Sequence, residues 1–141
     1  RSANQVAEIR RGGYILSEAG TPAHTGKAQA GILAAGFPEA LAMTAQKQLA
    51  EEGIAVRVVS MPSTNVFDRQ DAAYRSAVLP AGLPRVAVEA GVTDGWYKYV
   101  GLEGAVIGVD RFGESAPAGE LFKYFGITSD AVVAAVKKVL A

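Results

Sequence analysis

A chain of 141 residues with 14 Lys plus Arg and 14 Asp plus Glu has no net charge, and its charges are dispersed, so no basic field draws it to nucleic acid or anionic lipid. The absence of Cys excludes thiolate metal sites, cysteine nucleophiles and disulfides together, and fits a reducing cytoplasmic setting. The apolar windows are only strand-length and the start RSANQVAEIRR lacks the apolar centre of a signal peptide, so one soluble domain over 1–141 is expected, with Arg1 in place of Met suggesting a fragment, a processed chain or an expressed domain.

Ser2 to Arg11 reads as a short helix with Val6 and Ile9 inward, stopped by Gly12 and Gly13. GYILSEA is a first strand. Gly20 to Gln29, GTPAHTGKAQ, is a loop by composition and holds the single His. Gly20 with Gly26 and Lys27 suggests a phosphate-binding loop. The pattern fails because the glycines are too far apart, Ala28 stands where a hydroxyl belongs, and the apolar strand follows the loop instead of preceding it. His24 has no second His or Cys at ligand spacing, so it reads as a surface imidazole.

AGILAAG is a strand, and PEALAMTAQKQLAEEG is helical. Pro38 suits the first position, Glu39 the positive end and Gly53 the C-terminal cap, while Leu41, Ala42, Ala45 and Leu49 share a face. With IAVRVVS this makes a βαβ unit, right-handed and parallel. MPSTNVFDRQDAAYRSAVLP reads as a turn and then a helix from about Asp68, with Ala73, Tyr74, Ala77 and Val78 inward, ending before Pro80. RVAVEA completes a second unit. Trp96 falls in a short helical turn, GAVIGVD is a strand, and Ser115-Ala116-Pro117 opens the helix PAGELFKYFG. TSDAVVAAVKKVLA is the clearest helix, capped by Thr128, with Asp130 in its first turn, Lys137 and Lys138 as a solubilising pair in its last, and Val132, Val133, Val136, Val139 and Leu140 inside. Four of five strand candidates alternate with helices, which argues a mostly parallel sheet covered on both faces.

Candidate chemistry concentrates between Arg85 and Pro117. RVAVEA ends on Glu89 as a buried parallel strand reaches its carboxyl edge, where open α/β sheets bind ligands and partners. A Ser/His/Asp arrangement would need His24 as base, and no serine stands in a G-x-S-x-G elbow. Glu89, Asp94, Glu103, Asp110 and Glu114 leave paired-carboxylate chemistry open, although solvated loop carboxylates explain them more simply. The dinucleotide fingerprint G-x-G-x-x-G is absent. Glu89 at a buried strand end needs hydrogen bonds, and accepting backbone N–H groups or pairing with a Lys or Arg is the simpler role beside acid–base catalysis. Trp96, Tyr97 and Tyr99 lie too densely for one buried face, which leaves interface anchoring and core packing both open.

Taken together, EIRRGGYIL, IAVRVVSMPSTNVFDRQDAAYRSAVLP and RVAVEAGVTDGWYKYVGLEGAVIGVDRFGESAPAGELFKYFGIT resemble the C-terminal domain of transketolases, with VSMPS, FDRQ, WYKYVG and FGESAP in order at compatible spacing. These thiamine-diphosphate enzymes move two-carbon ketol units between sugar phosphates. The resemblance implies a three-layer α/β/α sandwich whose five-stranded, mostly parallel mixed sheet has one antiparallel strand, with GYILSEA the candidate. It also implies that thiamine diphosphate, the divalent metal (Mg or Ca) and the catalytic histidines belong to the preceding domains. No catalytic, cofactor or metal residue then carries over to this chain, whose partners are those domains and the second subunit of a homodimer. One departure is AAGFPEA, where the family has a Gly-Ser-Glu-like turn, since Phe37 can neither cap a helix nor donate to an anion.

The leading expectation is a packing domain, inactive alone, with Trp96 to Gly101 as a contact surface and GESAP as the turn launching the next helix. Glu89, Asp94, Trp96, Tyr97 and Tyr99 form the candidate contact surface or ligand edge. The alternative is a small-ligand-binding regulatory module using the carboxyl edge near Ser60 to Thr64 and Glu89 to Asp94. An independent small enzyme built around His24 is the third reading.

Overall fold

The computed structural model describes residues 7–21, 24–25, 27–36, 38–89, 94–108 and 127–141. Residues 7–9 are helical. Then come β1 (Tyr14–Ser17), the paired β2 (Gly20–Thr21) and β3 (His24–Thr25), β4 (Ala30–Ala34), α1 (Pro38–Glu51), β5 (Val56–Ser60), α2 (Thr64–Asp68) and α3 (Ala72–Val78). β6 (Arg85–Val88), a 3₁₀ turn (Asp94–Trp96), α4 (Tyr97–Val100), β7 (Ala105–Ile107) and α5 (Ser129–Leu140) follow.

Alternation along the central strands sorts the core into two layers. Ala30, Ile32, Ala34, Val56, Val58, Val86 and Val88 pack on one face with Ala42, Ala45 and Leu49 of α1 and Val132 and Val136 of α5. Leu33, Val59 and Ala87 point the other way, onto Phe67, Val78, Leu79, Trp96, Tyr99 and Val100. Each fully buried branched side chain here contributes about 1.5–3 kcal/mol over its exposed state.

The sheet order is β1-β5-β4-β6-β7. β1 runs antiparallel to β5, with Tyr14 opposite Ser60, and the other pairs are parallel. This is the expected three-layer sandwich, with the YILS part of GYILSEA as the antiparallel strand. The path moves one way from β4 to β5 and the other way from β5 to β6, with the connecting helices on opposite faces, as right-handed crossovers require. β4 and β6 therefore flank the point where the strand order reverses.

Two local expectations change. Gly20 to Gln29 is not all loop, because Gly20 pairs with Thr25 and Thr21 with His24. The connection after β5 is two helices, not a turn and one helix. Ser63 Oγ accepts from the Val66 N–H at 3.4 Å, and Asp71 Oδ1 from the Tyr74 N–H at 2.7 Å, so each short helix has its own cap. Phe67 of α2 then takes the core place, leaving Ala73 and Ala77 exposed, Tyr74 half-buried and only Val78 of α3 buried. The caps of α1 and α5 fall as expected: Gly53 has φ +79°, and Thr128 Oγ1 accepts from the Ala131 N–H at 3.1 Å. Val6, Phe37, Asp110, Glu114, GESAP and the helix PAGELFKYFG lie outside the described residues.

Candidate functional site at the carboxyl edge

β4, β5 and β6 end around a cleft of about 450 Å³ whose walls include Ala35, Ser63, Thr64, Glu89 and Trp96. Glu89 sits on its floor, one residue past β6. Its backbone N–H donates to the Ile107 carbonyl at 2.9 Å, and its Oε2 accepts from Trp96 Nε1–H at 3.0 Å. The carboxylate thus receives an indole donor from a turn that folds back over the strand end.

The three aromatics separate by helical phase. Trp96 and Tyr99 stand three residues apart and point inward, each 7% exposed, with ring centroids 5.9 Å apart at 58°. Tyr97 points outward and is 47% exposed. Burial removes Trp96 and Tyr99 from the surface, because the two short helices α2 and α3 leave room on this face that the indole and phenol fill. The contact-surface expectation therefore rests on Tyr97. Asp94 opens the 3₁₀ turn at the same edge.

The start of α1 is already supplied with an anion. Glu39 lies in its first turn, and its carboxylate accepts from Ser60 Oγ, the hydroxyl of a buried serine at the end of β5. Glu103 lies exposed beside the opposite cleft, at the amino edge, so it does not pair with Glu89.

Asp68 ties α2 to α4. Its two carboxylate oxygens each accept from Tyr99 Oη at 3.0 Å, and Oδ2 lies 2.7 Å from Lys98 Nζ. The Lys98 hydrogen bond, opposed by partial burial and helped by Tyr99, holds the Asp68 carboxyl below its ordinary value. A lowered folded-state value means that this link stabilises fully above the unfolded-state value, about pH 4, and loses its contribution as pH falls through the depressed value. Asp68→Asn is therefore expected to cost about 1 kcal/mol at pH 7. Urea denaturation at pH 7 and pH 2 should show that gap closing in acid; a gap that persists would assign the cost to packing.

Two arginines that sequence patterning did not single out brace the amino edge. Arg57 donates from Nη1 to the Ala77 and Val78 carbonyls at 2.8 and 3.1 Å, and forks onto Glu18 through Nε and Nη2 at 2.9 and 2.8 Å. Arg85 Nη2 donates to the Leu79 and Pro80 carbonyls at 3.0 and 2.8 Å, and Nη1 to the Tyr99 carbonyl at 2.6 Å. Together they satisfy the carbonyls at the C-terminal end of α3, which α3 itself leaves unmade. Burial would raise the Glu18 carboxyl but is outweighed by the hydrogen bonds from Arg57 and Ala19, which leave it lowered, whereas for Arg85 burial is what lowers it. The available signal was an Arg inside each of two apolar runs, VRVV and RVAV, since a cation at such a place demands acceptors. Lys137 is likewise more than a solubilising charge, because Nζ reaches Glu52 Oε1 at 2.6 Å and ties α5 to the end of α1.

Among the described residues no group of three or more His, Cys, Asp or Glu side chains could hold a metal ion, and the chain has one His and no Cys. No described helix is long and apolar enough to cross a membrane.

Residues 12–128 match the family described as the transketolase-like TK C-terminal domain. Transketolase 1 of Vibrio cholerae is 56% identical over 142 residues, covering 100% of this chain and 21% of that protein. The transketolase structure from Leishmania mexicana superposes with a TM-score of 0.84 at 44% identity, covering 96% of this chain and 19% of that one. A split gene transketolase, solved as an inactive β4 tetramer, matches at a TM-score of 0.65 and 31% identity, covering 91% of this chain and 42% of that one. The chain thus spans about a fifth of the length of the curated relative it matches, and all of that span is shared. On these matches the chain belongs to the transketolase family as its C-terminal domain.

Proposed function

We propose that this domain serves a transketolase as a packing element and contributes no catalytic group of its own. The supporting observation is the commitment of its polar groups to internal structure. Glu18 is held by Arg57, Glu39 by Ser60, Asp68 by Lys98 and Tyr99, and the Glu89 carboxylate accepts from an indole. In this reading thiamine diphosphate and its Mg or Ca ion are held by the preceding domains of a cytoplasmic, homodimeric enzyme. Ketol transfer between sugar phosphates is the activity of that whole.

The 141-residue chain alone, supplied with thiamine diphosphate, magnesium and a ketose phosphate donor with an aldose phosphate acceptor, is expected to give no ketol transfer above buffer. The inactivity named for the split gene tetramer, whose chain extends well beyond the matched region, supports that expectation. Substantial turnover by the isolated chain would sink the reading.

A further inference from the structure

The antiparallel strand decides where the chain enters the domain. Because β1 runs opposite to β5 and places Tyr14 beside Ser60, the segment before it arrives at the carboxyl edge, at the rim of the cleft. That segment is clamped there. The Gly12 carbonyl accepts from the Ser63 N–H at 2.9 Å, and the Gly13 carbonyl from Tyr74 Oη at 2.7 Å. The Arg11 guanidinium lies 4.6 Å from the centre of the Tyr74 ring. The described entry into β1 is thereby fixed at the cleft rim and not at the amino edge.

Among the described residues the rim is open. Pro62, Asn65 and Gly95 are exposed around the opening, and the half-exposed Tyr97 follows Trp96 in the chain. An open concave rim of this kind suits a protein partner, and Tyr97, 47% exposed next to Trp96 in the chain, is a ring of the type that anchors interfaces. The amino-edge cleft differs: it is bordered by Lys98, Glu103 and the fully exposed Leu102, and both Nη atoms of its Arg85 donate to backbone carbonyls.

We infer that the carboxyl-edge cleft and its rim are the docking face for the polypeptide that precedes this domain in the transketolase chain. The inference rests on the reading of the chain as a C-terminal domain. The occupant is argued from two facts: about four-fifths of the length of the matched relative lies outside the match, and the chain enters β1 at this rim. Covering the cleft would turn Glu89 and Trp96 into a buried support beneath an interdomain contact.

The absence of native Cys in this domain makes the test direct. In the full-length polypeptide, Asn65→Cys and Leu102→Cys are made singly and alkylated with iodoacetamide under native conditions, and each rate is read from its own peptide by mass spectrometry. The position at the carboxyl-edge rim is expected to react about tenfold or more slower than the one at the amino edge, with equal rates in urea, because thiol alkylation follows exposure. Equal native rates would overturn the inference, as they would if a free small molecule were the natural occupant. Protection that disappears on dilution would also overturn it, by assigning the face to a second subunit. Ketol transfer by the unmodified full-length protein keeps the readings apart: inactivity sinks the transketolase reading, whereas activity with an unprotected rim sinks only the docking face.

Discussion

Gly12→Ala is expected to destabilise the domain by about 3 kcal/mol or more, enough to leave much of it unfolded. A Cβ on Gly12 would stand 2.3 Å from the Ser63 carbonyl oxygen and 2.5 Å from the Phe67 nitrogen, both backbone atoms, and 2.8 Å from Val66 Cβ. Neither backbone atom can retreat. The Ser63 carbonyl accepts from the Phe67 N–H at 3.0 Å to close the first turn of α2, and the Ser63 N–H donates to Gly12 itself. The backbone adds a second cost, since φ at Gly12 is +83°, where an L side chain loses about 1 kcal/mol. Gly53→Ala isolates that second cost, because φ there is +79° and nothing lies within 4 Å of the added carbon. Urea denaturation followed by far-ultraviolet circular dichroism should give about 1 kcal/mol for Gly53→Ala and several times that for Gly12→Ala. Equal losses would mean that the entry segment is not locked against α2.

This clamp could not be read from composition, where Gly12 and Gly13 signal only the end of a helix. Close approach of two backbones is a tertiary fact, and glycine permits it without announcing it. Local signals fared better where one residue decides the outcome. Pro38 and Gly53 bound α1, Thr128 caps α5, and the apolar β-branched runs became the central strands. The antiparallel placement of GYILSEA came through likeness of motifs, because periodicity is blind to strand direction. The turn-rich text around Gly20 concealed a short ladder, and STNV concealed α2, since a cap such as Ser63 and a turn use the same residue types. At the site, Glu89 was legible because a strand stops on it. Its indole partner was not, for Trp96 reaches back only through the 3₁₀ turn. The inward pair Trp96 and Tyr99 and the outward Tyr97 did have a readable signature, the spacing of three residues that stacks side chains on one helical face.

Trp96→Ala is expected to cost about 3–5 kcal/mol, the range for emptying a large buried aromatic site. The ring is 7% exposed, leans on Tyr99 and belongs to the cluster that covers Leu33, Val59 and Ala87. Trp96→Phe separates packing from hydrogen bonding: most of the apolar contact survives, the Nε1–H donor to Glu89 is lost, and about 1–2 kcal/mol should go with it. Glu89→Gln tests the same bond from its other end. An amide oxygen can still accept from the indole, so the loss should stay near 1 kcal/mol. The two roles weighed for Glu89 then part company in the full-length enzyme. If its carboxylate only holds the indole, Glu89→Gln leaves ketol transfer per folded molecule intact, and Trp96→Ala lowers activity in step with the folded fraction seen by circular dichroism. If Glu89 exchanges protons with substrate, Glu89→Gln extinguishes turnover in a protein that remains folded, because an amide cannot accept and return a proton at neutral pH. The first outcome is the expected one, since the Nε1–H bond already engages Glu89 Oε2 and ties the carboxylate to the fold.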